Sequence, residues 1–147
     1  MVTQVDQKRT FLMRAEKAIG TEMFQNLFAV VDGEEQDLTD NGNISCAVFV
    51  SGLLLMAEKI PTMKATVGSL EALLQAAGWE VADSPEPGDI VFWEETEQVS
   101  GPHRHVGIAV SHTEAISHLD TNRTPGRHHI TFNDTRPIER IYRLVEW

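Results

Sequence analysis

One cysteine, Cys46, and six histidines, His103, His105, His112, His118, His128 and His129, are the residues of this 147-residue chain best suited to nucleophilic chemistry. The cysteine lies in the first third of the chain and every histidine in the last. Cysteine acyl transfer needs a thiol that can lose its proton, a base that takes and returns it, and a group that fixes the base. Cys46 follows the turn-forming segment Asp40-Asn41-Gly42-Asn43 and begins an apolar run, which places it in the first turn of a helix. Unpaired N–H groups and the positive dipole end there stabilise a thiolate and can supply half of an oxyanion hole. Cysteine is also among the most buried residue types, so simple packing accounts for the position equally well.

The elements that must position these groups can be read from periodicity. Phe11–Ile19 has apolar residues at helical spacing and stops at Gly20, and Met23–Val31 extends it or pairs with it. Asp32–Gly42 is acidic and turn-rich and reads as a loop. Ser45 to about Lys59 is apolar nearly all round and predicts a buried central helix closed by Pro61. Val67–Ala77 predicts a third helix ended by Gly78. After Pro85 the pattern changes to strands: Asp89–Trp93, His105–Ser111, Ala115–His118, His128–Phe132 and Arg140–Leu144. Helices first and strands afterwards imply an α+β fold, an antiparallel sheet packed on the cysteine-bearing helix. Asp89, after Pro87-Gly88, reads as a turn residue, Trp79 as core, and Glu94–Glu97 as a solvated loop.

Three runs occur in a telling order: Cys46-Ala47-Val48-Phe49-Val50, then Pro87-Gly88-Asp89-Ile90-Val91-Phe92-Trp93, then His105-Val106-Gly107-Ile108-Ala109-Val110. Together they resemble the NlpC-type cell-wall peptidases and the related CHAP amidases of the papain-like cysteine peptidase superfamily. The resemblance covers about residues 40–145 and includes the closing run Arg140-Ile141-Tyr142-Arg143. It implies a single papain-like domain over 1–147, with an N-terminal helical part and acidic loop at 1–39 and a catalytic core at 40–147. It also implies that the third polar residue of the site is His118, in Ala115-Ile116-Ser117-His118. Two features depart from the family pattern. Ser45 stands where an Asp often precedes the cysteine, and the Tyr often placed near the oxyanion pocket has no obvious counterpart, since the only tyrosine is Tyr142. Ser45 or Asn43 is left as the substitute donor.

Strand alternation sets His105, Gly107, Ala109 and Ser111 on one face, and Val106, Ile108 and Val110 on the other. The small residues beside His105 leave room for a substrate or for the cysteine helix, and the opposite face anchors the core. With the family resemblance around it, His105 is the expected general base, later general acid to the leaving amine. His118, one strand on, can accept from its ring N–H across an antiparallel pair, with Asn122 and Asp120 in reserve. Of Phe92 and Trp93, one fills the core and the other, taken here as Trp93, walls the cleft. His103 and His129 are placed near the cleft as substrate contacts. His103 and His105 could also supply two zinc ligands, with a third from His112, His128 or His129. No HExxH helix and no cysteine pair accompanies them, so neither metal nor cofactor is expected.

Hydrophobic residues make up 41% and charged residues 23%, a globular composition. With 12 basic and 22 acidic side chains the net charge is −10, which disfavours a nucleic-acid partner or a polybasic membrane contact. One cysteine excludes an internal disulfide framework. Met1–Thr10 carries no apolar signal-peptide region, and Ile44–Ala57 is too short to span a bilayer, so a soluble chain is expected. A monomer is expected, with a peptidoglycan peptide stem as its partner and the cell wall as its place of action, both implied by the resemblance. The reaction would be hydrolysis of a stem amide bond by a Cys46–His105–His118 triad. Two alternatives stay open: a related thiol amidase or acyltransferase on another substrate, and a catalytically silent peptide-binding module.

Overall fold

Side-chain caps start the first and third α-helices in the computed structural model, which describes residues 1–98 and 101–147. Helix α1, Gln7–Lys17, begins where the Asp6 carboxylate accepts from the Arg9 N–H at 3.0 Å. It buries Phe11 and Ala15, four residues apart on one face, and starts earlier than the apolar spacing alone predicts. Helix α2, Cys46–Met56, is buried without interruption from Cys46 to Leu54. It ends short of Lys59 because Glu58 turns left-handed (φ 58°) and the Lys59 N–H reaches back to the Leu54 carbonyl. Helix α3, Val67–Ala76, is capped by the Thr66 hydroxyl and stopped by Gly78 at φ 84°.

Between α1 and α2 lies a two-stranded antiparallel hairpin, β1 Phe28–Val31 and β2 Glu34–Asp37. This corrects the reading of Met23–Val31 as helix and of Asp32–Gly42 as loop throughout. The signal was Asp32-Gly33, whose φ values of 52° and 84° make the tight turn that a two-residue hairpin needs. The Asp37 carboxylate then organises the approach to α2, accepting from the N–H groups of Leu27, Thr39 and Asn41 and from the Thr39 hydroxyl. Burial would raise its pKa, but the bonds from Thr39, Leu27, Asn26 and Asn41 outweigh it and hold the carboxylate well below the usual range.

The main sheet has six antiparallel strands in the order β3-β8-β4-β5-β6-β7. They are β3 Glu80–Ala82, β4 Ile90–Gln98, β5 Gly101–Ala109, β6 Glu114–Leu119, β7 Thr124–His129 and β8 Ile138–Arg143. Sheet and helices together make the α+β architecture expected. Glu94–Glu97 is strand, not free loop: Thr96 and Glu97 pair with His103 and Pro102 beyond a bulge after Trp93. Strand β7 begins four residues before the predicted His128. Its Pro125 and Gly126 disguise it, and both are tolerated because β7 is an edge strand.

Alternation gives the sheet two buried faces. Ile90, Phe92, Val106, Ile108, Ile116 and Tyr142 pack with α1, α2 and α3 in the main core. Val91, Trp93, Ala109, Ala115, Ile130 and Ile141 form a second, smaller core on the reverse face, joined by Phe132 and Ile138. The helix face is also tied electrostatically: the Glu71 carboxylate of α3 accepts from Arg104, Arg140 and the Tyr142 hydroxyl. Asp89 accepts from the Glu86 N–H and from a two-pronged Arg143 guanidinium, the turn role expected of it. No helix among the described residues is long and apolar enough to cross a membrane.

Candidate active site

Cys46 opens α2, and the residue before it, Ser45, makes no side-chain cap. The Ser45 hydroxyl is buried without a partner, so it does not occupy the N–H groups of the first helical turn. Burial pushes the Cys46 thiol up. The N–H groups of Val106, Ala47 and Cys46 itself, together with the Arg136 charge, offset only part of that rise. The helix N-terminus was expected to lower this thiol; desolvation wins, and the resting sulfur is protonated.

A cavity of about 540 Å³ joins the helix start to strands β5, β6 and β7. Asn43, Cys46, His103, His105, His118, Asp120, His128, Phe132 and Arg136 are among the residues that line it. Chain ends far apart in sequence therefore meet here: the cysteine and four of the six histidines share one cavity wall. No hydrogen bond joins Cys46 to either His105 or His118 among the described residues.

The partner of His105 is Ser117. The His105 Nε2 lies 2.8 Å from the Ser117 Oγ, which lies 2.7 Å from the His128 Nε2. This chain crosses three neighbouring strands, and its protons can be placed. The His128 Nδ1 is 2.8 Å from the His129 carbonyl oxygen, which can only accept, so Nδ1 carries a hydrogen. Burial lowers the His128 pKa, so the ring is neutral and its Nε2 is bare. That bare nitrogen takes the Ser117 hydroxyl proton, and the Ser117 oxygen must then accept from the His105 Nε2–H. His105 is thus left with an unprotonated Nδ1, which has no hydrogen-bond partner among the described residues. Burial, followed by the Arg136, His128 and His118 charges, pushes its pKa well down, so this imidazole too is neutral at rest.

His118 does not take the orienting place. It projects to the helix side with its ring 6.3 Å from that of Phe49, and neither nitrogen has a partner. Burial pushes its pKa down to about 4. The cause is strand parity: β5 and β6 pair Ile108 with Ile116, so Ser117 stands on the face of His105 and His118 on the other. Gly107 enforces the close approach, since a Cβ there would lie 2.7 Å from the Ser117 Cβ and 3.0 Å from the Trp93 ring.

Parity also relocates α2. It packs against Val106 and Ile108, so the small-residue face of β5 receives Trp93 and Ser117 instead of the helix. Trp93 does not line the cavity; it is fully buried beneath the histidines, 5.3 Å from the His105 ring and 5.5 Å from that of His128. Its indole N–H donates to the Ile130 carbonyl at 2.7 Å. His129 is also outside the cavity lining, and its Nδ1 accepts from the Thr131 N–H to fasten the following turn.

That turn brings in two residues not assigned to the site from sequence, and it places Phe132, expected as the end of a strand, in the turn after β7. Phe132, Asn133 and Asp134 are successively left-handed, with φ of 53°, 56° and 64°. Such geometry costs about 1–2 kcal/mol per ordinary residue, and Asn and Asp bear it better than Phe. The Thr131 carbonyl accepts from the N–H groups of Thr135 and Arg136, closing the turn. Phe132 is thereby stacked on His128 with ring centres 3.9 Å apart, and Arg136 is set in the cavity wall. No group of three or more His, Cys, Asp or Glu side chains is disposed to hold a metal ion among the described residues. No protein-family model matches this sequence, and no curated protein matches it as a relative.

Proposed function

We propose that the chain is a thiol hydrolase of the papain-like, NlpC/CHAP kind that cleaves an amide bond in bacterial peptidoglycan peptide stems. One observation carries the reading: Cys46 and His105 line one cavity, and the His105 Nε2 is tied back through Ser117, leaving Nδ1 as the basic nitrogen. The wall-peptide substrate and action at the cell wall rest on the sequence resemblance.

With thiol and imidazole both neutral at rest, proton transfer accompanies attack. The Cys46 sulfur bonds to the amide carbonyl carbon while its proton crosses the cavity, which the start of α2 and the opposite face of β5 both line, to the His105 Nδ1. Ser117 and His128 hold the imidazolium that forms, and N–H groups at the start of α2 stabilise the oxyanion. The Nδ1 proton then goes to the departing amine as the C–N bond breaks, leaving a thioester. Water, losing a proton to the same nitrogen, cleaves the thioester to a carboxylic acid and the thiol returns. Ser117 and His128 replace His118 as the orienting pair in this scheme.

A second reading, a silent peptide-binding module, is favoured by the raised Cys46 pKa and the absence of a Cys46–His105 hydrogen bond. Mass analysis of purified peptidoglycan incubated with the chain and with Cys46→Ala separates the two. The hydrolase reading expects new fragments from the first and none from the second, and the fragment masses identify the bond. Fragments from both would remove Cys46 from the chemistry, and fragments from neither would favour the binding module.

A further inference from the structure

Arg136 is nine-tenths buried, yet it is bonded to no carboxylate among the described residues. Its Nε donates to the Glu94 carbonyl at 3.2 Å and one Nη donates to the His103 carbonyl at 2.7 Å. A guanidinium has five N–H donors, so part of the fork is left over, and the side chain lines the cavity that holds Cys46. Arg104, which also lines it, is engaged by Glu71 and Glu139. Asp120 lies on the same wall, and its charge acts on Arg136 without a hydrogen bond between them. A desolvated cation whose hydrogen-bond partners are neutral carbonyls, offset in part by the Asp120 charge and the Phe132 ring 6.0 Å away, is costly to keep, and an arriving anion relieves that cost.

We infer that Arg136 receives a carboxylate carried by the substrate beside the scissile carbonyl, so that the cavity selects acidic acyl donors. The planar fork matches a carboxylate, and one guanidinium balances one negative charge. A phosphate dianion fits less well, because Asp120 already adds negative charge to the wall. On a chain of net charge −10, which repels an acidic ligand elsewhere, this buried cation gives that ligand one orientation. The inference rests on the hydrolase reading of the same cavity, but its recognition step needs no turnover.

The test uses the Cys46→Ala chain and calorimetric binding of two stem tetrapeptides, one with the glutamate α-carboxylate free and one with that group as carboxamide. The acid form is expected to bind about tenfold or more tightly than the amide, the usual scale for a lost charged hydrogen bond. In Cys46→Ala/Arg136→Gln the two peptides should bind within about twofold of each other. Arg136→Lys should restore part of the preference, since charge returns without the fork. Equal binding of acid and amide to the Cys46→Ala chain would overturn the inference, as would failure of both to bind or a preference surviving Arg136→Gln. Cleavage by the native chain is scored separately. An Arg136-dependent preference without cleavage sinks the hydrolase alone, and cleavage without the preference sinks the anion site alone.

Discussion

Substitution of Ser117 by Ala tests the proton arrangement directly, without assuming any activity. The hydroxyl bridges two buried imidazoles at 2.8 Å and 2.7 Å, so its removal orphans the His105 Nε2–H and the bare His128 Nε2 together. Leaving one buried polar group unsatisfied costs about 1–3 kcal/mol. Both rings line a cavity that softens the loss, so about 2–4 kcal/mol is expected for the pair. For a chain of this length that is a fall in Tm of roughly 6–16 °C, taking about 3–4 °C per kcal/mol. The direct assay is imidazole nitrogen NMR at neutral pH. In the native chain His105 should carry its proton on Nε2 and His128 on Nδ1. In Ser117→Ala the His105 ring should lose that fixed tautomer while His128, still bonded to the His129 carbonyl, keeps its own. A native His105 protonated on Nδ1, or charged at pH 7, would refute the reasoning, because the proposed base would then have no free nitrogen for a thiol proton.

Two further outcomes follow from the same region. His118 has no partner for either nitrogen, and burial holds its pKa at about 4 against about 6.5 in an unfolded chain. The unfolded chain therefore takes up the proton first as pH falls. Stability is full above about pH 6.5 and is lost towards pH 4, by about 3 kcal/mol from this group. Denaturant titrations of His118→Phe should show a flatter profile across that window and native-like stability at pH 7, and a loss above about 2 kcal/mol at pH 7 would contradict the unsatisfied ring. Gly107→Ala sets a methyl against the Ser117 Cβ and the Trp93 ring, so calorimetry should find about 1–3 kcal/mol of destabilisation and NMR a displaced Ser117 bond. Native stability with the bond intact would show that the approach is looser than described.

The parts of the fold legible in the sequence are those whose burial is one-sided or complete. The run Ala47–Leu54 could only be an inner helix, and Gly78 marked the end of α3 by the left-handed turn it permits. The hairpin at Phe28–Asp37 was missed because most of its residues are exposed. Without a buried face there is no alternation to detect, and only the Asp32-Gly33 turn advertised it. Strand β7 failed for a different reason. Its backbone is held by pairing with β6, which local propensity at Pro125 and Gly126 argues against.

For the site, residue types were legible and facing was not. Cys46 and His105 were reached through the family resemblance, since helix position and strand alternation alone left simple packing open, and both line the cavity. The orienting residue was assigned one position away from where the register places it, and in a strand one position is the difference between two faces. A serine in that place changes what the rest of the site must supply. A carboxylate can only accept, so it fixes a histidine tautomer unaided; a hydroxyl both donates and accepts. Ser117 orients His105 only because its proton is committed to His128, whose own proton is committed to a backbone carbonyl. The Phe132 ring stacked on His128 then holds that second imidazole in line, so the strained turn at 132–134 belongs to the same device. Strain held beside the His105 and His128 rings, 5.7 Å and 3.9 Å from the Phe132 ring, is in keeping with a turn whose work is to keep a hydrogen-bond chain pointing one way.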